Sequence, residues 1–216
     1  LYLLTFVSIP TVALYAPTND PGFVTGPGPD LPIRVGALLE IVVALACIGT
    51  AVALFPVIRR QSEALALGLV SARIFEAGTI MAGAASLLTL VSLRQADPGD
   101  DGLIVGQALT GLHEWLQLGQ GLMPAVNAVL LGTLLLRAGL VPRALPVLGL
   151  IGAPLLLVST LSTLFGLWPQ FSALSALAAL PIAVWELLLG LYLTIKGFRP
   201  VPVAEAFDAQ WSEHRD

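Results

Sequence analysis

The sequence predicts an all-α integral membrane bundle of six transmembrane helices, and three observations carry that reading. Of the 216 residues, 56% are hydrophobic and only 11% are charged, against about 25% charged in an ordinary soluble domain. The mean hydropathy is +0.89, which makes lipid the natural solvent. The apolar residues also fall into successive runs near the length of about 20 residues that an α-helix needs to cross the hydrocarbon core.

Taken in order, the runs are Leu1–Tyr15, Val35–Val57, Leu65–Leu93, Gly121–Arg137, Ala144–Gly166 and Ala173–Ile195. The first is short, and we expect it to be a truncated span. It is near the length of a signal-peptide core, but the spans that follow favour a membrane helix. Ala16–Ile33, rich in Pro, Gly and Asp, reads as an irregular loop. Gln95–Gly102 (QADPGDDG) reads as an acidic turn. Residues 1–199 thus form one membrane domain, and 200–216 a polar tail with a short helix expected at Val203–Trp211.

Ile104–Gln117 has two faces. Val105, Ala108, Leu109, Leu112, Trp115 and Leu116 recur at helical spacing, with Thr110, His113, Glu114 and Gln117 opposite, the pattern of an amphipathic helix. Joined to the fourth span it would run about 50 Å at 1.5 Å per residue, beyond a core of roughly 30 Å. Gly119, Gly121 and Pro124 offer a break. The segment therefore lies in the interface or extends the fourth span outward.

Arg59, Arg60, Arg137, Arg143, Lys196 and Arg199 fall at one set of span ends, and Arg34 and Arg94 at the other. The excess marks the cytoplasmic side, so the chain is expected to be a multi-pass protein of the cell membrane with both termini cytoplasmic. Tyr15, Trp115 and Trp168 then lie near the outer interface and Tyr192 near the inner. Gly49-Thr50 followed by Leu67-Gly68-Leu69 resembles Gly132-Thr133 followed by Leu148-Gly149-Leu150, a weak parallel repeat. The net charge of −4 and the lack of a basic run argue against a nucleic-acid partner and a polybasic anchor. Cys47 is the single cysteine, so no disulfide forms within the chain.

Ionisable groups inside lipid are costly and turn to the bundle interior. They fall into two layers. Arg73, Glu76, Asn127 and Glu186 form a middle layer, all roughly 12–17 Å from the cytoplasmic span ends at 1.5 Å per residue. Arg73 and Glu76, three apart, share a helix face. Glu186 lies on a stripe of Ser175, Ala179, Ala183 and Gly190, which permits close helix contact. One arginine faces two carboxylates, so we expect one of Glu76 and Glu186 to pair with Arg73 and the other to be neutral or to meet water. Either the pair fixes helix register or it handles a ligand or proton.

Glu40, His113 and Glu114 form an outer layer, with Arg34 and Arg94 nearby. Glu40 shares a stripe with Gly36, Ala44, Cys47 and Ala51, so it should face inward. His113 is expected first as an interfacial histidine held in hydrogen bonds; otherwise it titrates in the physiological range or ligates a metal with the two carboxylates, although a single intramembrane histidine makes a poor metal set; His214 lies in the tail. The run from His113 to Gln117 fails H-E-x-x-H at its last position. Ser159, Thr160, Ser162 and Thr163 lack the G-x-S-x-G setting of a serine nucleophile and read as interhelical hydrogen bonders. Pro10, Pro124, Pro154 and Pro181 should kink their spans. No cofactor and no metal is expected.

The runs GALLEIVVALACIGTAVALFPVIRRQSEALALG, SARIFEAG, LHEWLQLGQGLMPAVNAVLLGTLLLRAGLVPRALPVLGL and IAVWELLLGLYLTIKGFRP together resemble a bacterial multi-span family labelled domain of unknown function 4386. The resemblance covers nearly the whole chain and implies a six-helix membrane protein without an assigned activity. Its polar positions here are Glu40, Arg59, Arg73, Glu76, His113, Trp115, Asn127, Arg143, Glu186 and Lys196. Three functions follow as expectations. The first is an accessory or partner-binding component of a membrane assembly, with a protein partner or a second copy beside the lipid bilayer. The second is a small-molecule or proton-linked transporter or receptor with a mid-membrane site. The third is an intramembrane enzyme using His113 with Glu40 or Glu114.

Overall fold

The computed structural model describes residues 2–199; Leu1 and the tail from Pro200, with its expected helix at Val203–Trp211, lie outside them. The described chain is helical throughout. Tyr2–Ser8 is a 3-10 turn, and α1 is Thr11–Leu14. A second 3-10 turn, Ala16–Asn19, leads into five long helices: α2 (Asp30–Ile58), α3 (Glu63–Gln95), α4 (Asp101–Ala138), α5 (Ala144–Leu164) and α6 (Ala173–Ile195). All five are long and apolar enough to cross a membrane, and Tyr2–Leu14 is a shorter apolar sixth segment. That segment is not one helix. Pro10 lacks the N–H that would continue the ladder, and the chain changes from 3-10 to α geometry there.

The helix ends carry the expected chemistry. Ser62 caps α3 by accepting from Leu65 N at 3.4 Å, with Glu63 in the first turn and Arg94 in the last, as the helix dipole favours. Ser172 caps α6 through Ser175 N at 3.2 Å. Gly139, at φ 63°, closes α4 in the left-handed region.

Each long helix packs against its neighbours in sequence, and the Tyr2–Ser8 turn sits between α2 and α6 to close the ring. The amphipathic segment is not a separate surface helix: Ile104–Gln117 is the first half of α4, which at 38 residues runs about 57 Å at 1.5 Å per residue. Gly119, Gly121 and Pro124 leave α4 unbroken.

Lipid tails supply no hydrophobic drive between helices, so small residues that allow close approach hold such a bundle together. α5 and α6 are pinned in this way. A Cβ on Gly149 would stand 2.6 Å from the Trp185 ring, and one on Gly152 would stand 3.0 Å from Ile182 and Pro181. Trp185 is fully buried. Beyond Pro181 the contact lapses, and Ala173–Pro181 of α6 contains no buried residue. Leu174, Leu177, Leu180, Val184, Leu187 and Leu191 stand exposed along α6, an apolar flank suited to the bilayer.

Candidate functional site

The middle layer closes on Arg73. Its guanidinium reaches Glu76 Oε2 at 3.1 Å and Glu186 Oε1 at 3.3 Å. It also donates to the Tyr2 hydroxyl at 3.1 Å and approaches Cys47 Sγ at 3.7 Å, with the Tyr2 ring beneath it. Asn127 Nδ2 donates to the same Glu76 oxygen at 2.8 Å. Arg73, Glu76 and Asn127 are buried, and the Glu186 side chain keeps 15% exposure. One planar fork thus ties the N-terminal turn, α2, α3 and α6, and Glu76 extends the hub to α4.

This departs from the expected division, in which one carboxylate pairs with Arg73. Both do, because the five guanidinium donors are fixed in a fork that serves two acceptors on different helices at once. Two members escaped sequence reasoning. Tyr2 lies in an apolar run with no charge near it in sequence. Cys47 is a lone cysteine in an apolar run, with only its stripe beside Glu40 to turn it inward.

The outer-layer candidates do not converge. His113 is buried, with Nδ1 3.1 Å from the Gly83 carbonyl and Nε2 2.7 Å from Gln117 Nε2. Donation from Nδ1 to the carbonyl and from the Gln117 amide to Nε2 is one consistent arrangement, and it occupies both ring nitrogens. Glu114 is exposed on another face of α4, since adjacent helix residues do not share a face. Glu40 is buried and neighbours the Tyr15 hydroxyl, while the Tyr15 ring stands edge-on to His113 at 5.3 Å between centroids. Tyr15 therefore separates Glu40 from His113. No group of three or more metal-ligating His, Cys, Asp or Glu side chains exists among the described residues. Arg94 is engaged elsewhere, with the Gly28 carbonyl, Asp30 and the Phe23 ring.

Gly36 makes the Tyr15 position possible, because a Cβ there would stand 2.4 Å from the ring. Gly36→Ala should push Tyr15 out of its place beside Glu40 and His113. It should cost about 1–3 kcal/mol, as overpacking does. Near-ultraviolet circular dichroism of the tyrosine and thermal unfolding in lipid nanodiscs would check it, and an unchanged spectrum with unchanged stability would count against the placement.

A cavity of about 520 Å³ opens where α5 and α6 diverge, lined by Gly121 of α4, Ser159, Thr160 and Thr163 of α5, and Ser175 and Ala179 of α6. It is a size common among small-ligand sites. A second space of about 280 Å³ shares Leu118, Thr163, Gln170 and Phe171 with it and adds Glu114 and Trp115. Neither is lined by a member of the Arg73 hub. Of the seven candidate residues, only Glu114 borders either space.

The sequence model of the family described as Domain of unknown function (DUF4386) matches residues 1–197. No curated protein matches the chain, and no solved structure does.

Proposed function

The chain belongs to this DUF4386 family, whose description assigns no activity, and from that premise we propose that it is a non-enzymatic membrane component that works by binding a hydrophobic partner. The observation that carries this is the contrast between charged groups already bound to one another and an open, mostly apolar cleft. Arg73, Glu76, Asn127 and Glu186 bind one another, and both ring nitrogens of His113 are engaged. The cleft between α4, α5 and α6 is the part left open. The partner is a transmembrane polypeptide laid against the His113-proximal half of α6, whose residues bury little within the chain. By the Lys/Arg distribution, that half belongs to the outer leaflet.

A second reading has the cleft hold a small amphiphile, as a carrier or receptor would. The Ser159, Thr160, Thr163 and Ser175 side chains on otherwise apolar walls favour it. Native mass spectrometry of protein released from lipid nanodiscs, wild type against Ala176→Phe, separates the two, Ala176 being a wall residue of the cleft on α6. The expected result is a stoichiometric polypeptide on the wild type that the filled cleft excludes. A small-molecule adduct lost in the same variant would favour the second reading. Equal behaviour of the two proteins would overturn both.

A further inference from the structure

Six buried side-chain polar atoms lack a hydrogen-bond partner among the described residues: Tyr15 Oη, Glu40 Oε2, Gln120 Nε2, Asn127 Oδ1 and the indole nitrogens of Trp168 and Trp185. The first four are not scattered. They lie along one polar column between the His113 layer and the Arg73 hub.

α4 supplies the backbone of that column. His113, Gln117, Gln120, Pro124 and Asn127 recur at four- and three-residue spacing, one continuous face of the helix. Opposite it, α3 presents Gly83 and then Glu76. A Cβ on Gly83 would stand 3.2 Å from His113 Nδ1 and 3.9 Å from Gln120 Nε2, so both side chains use the room that Gly83 leaves. Glu76 takes the amide of Asn127 at the lower end. Tyr15 and Glu40 close the upper end.

Pro124 adds a fifth unpaired group. Proline within a helix has no N–H for the carbonyl four residues earlier, here that of Gln120, which lies on the same face between the two layers. A free carbonyl, an unpartnered amide nitrogen, a carboxyl oxygen and a phenol offer donors and acceptors in alternation. Buried water makes about three hydrogen bonds to groups of this kind, and a buried polar atom left unmet is destabilising. A cation does not suit the set, because the Gln120 amide nitrogen donates.

We infer that a short file of buried water molecules runs from Tyr15 and from Glu40 of α2, past Gln120 in the α3–α4 interface, to Asn127 and Glu76. The file joins the two polar layers and gives the Arg73 hub a route for proton exchange with the surface beside Gln117, which is only partly buried. It stands apart from the cleft between α5 and α6, and neither depends on the other.

X-ray radiolytic footprinting of the full chain in lipid nanodiscs tests this, because bound water generates radicals beside side chains that bulk solvent never reaches. Tyr15 and His113 are the reporters at the upper end of the column, and Cys47, 3.7 Å from Arg73, is the reporter at the hub. Trp115 is the exposed control, and Leu134, fully buried in an apolar cluster, is the dry one, each rate being taken relative to the side chain's intrinsic reactivity. The expected result is oxidation of Tyr15, His113 and Cys47 severalfold faster than that of Leu134. Protection of all three to the level of Leu134 would overturn the inference. Gln120→Leu should lower Cys47 oxidation severalfold while leaving Trp115 unchanged. Pro124→Ala, which restores the missing N–H, should do the same and serves where Gln120→Leu fails to fold. Cys47 oxidation unmoved by a folded variant would also overturn it.

Discussion

Arg73→Met is expected to be the most damaging single substitution in this protein, costing about 3–5 kcal/mol of stability. Two carboxyls lose their only cation in a medium that cannot solvate them. Tyr2 loses its donor, and the closure of the ring between α2 and α6 loses its polar tie. Arg73→Lys should recover part of the loss, since an ammonium keeps the charge but cannot serve Glu76 and Glu186 with a planar fork. The triple substitution Arg73→Met, Glu76→Met, Glu186→Met should recover more than Lys does, because buried ion groups exchanged together for apolar ones are often neutral or stabilising. The sum of the single effects should therefore greatly exceed the triple effect, as for residues that share one network. Equilibrium unfolding in mixed micelles measures all of these. A single Arg73→Met protein as stable as the wild type would mean that the hub does not hold the bundle.

Gly149→Val is expected to cost about 1–3 kcal/mol and to loosen α6 selectively. The Trp185 ring lies 2.6 Å from where a Cβ would stand, and it is fully buried, so neither partner has room to give. Separation of α5 from α6 would move Glu186 away from Arg73 and widen the cleft at its base. The expected observations are a lower midpoint in micellar unfolding, a shifted Trp185 emission and faster amide exchange in α6 than in α3. Trp185→Ala combined with Gly149→Val should restore part of the stability by giving the valine the vacated space. Equal exchange in α3 and α6 would show that the close contact is not what fixes α6.

Much of the fold was legible in the sequence because hydrophobic run length and helix period are local properties. Apart from α4, the long helices fall within a few residues of the apolar runs, and Ala173–Ile195 coincides with its run. Arg73 and Glu76 share a face for the same reason. The fourth helix was less legible. Two glycines and a proline leave a run open to a break or a bend, and only the packing of α3 and α5 along its length keeps α4 continuous. The first segment is apolar and short, as expected, and Pro10 divides it into short turns.

The outer layer shows a different limit. Spacing places His113 and Glu114 on one helix but says nothing of which face meets α3, so the imagined cluster of Glu40, His113 and Glu114 dissolved once His113 turned to Gly83 and Glu114 to the surface. The cleft bordered by Ser159 and Ala179 was equally hidden, because it arises where α5 and α6 part beyond Pro181, not from a motif in either.

The sequence by itself determined that this chain is an α-helical membrane protein, where its long helices run, and which side chains lipid would not accept. The tertiary structure alone decided that Tyr2 and Glu186, 184 positions apart in the chain, meet on one guanidinium, that Tyr15 stands between Glu40 and His113, and that a cleft opens between α5 and α6. The reason is physical. In lipid nearly every face of a helix is apolar, so hydrophobic pattern fixes the existence of a helix but not its rotation. Rotation is set by close contacts at small residues and by a few buried hydrogen bonds between helices, and those exist only once distant parts of the chain have packed together.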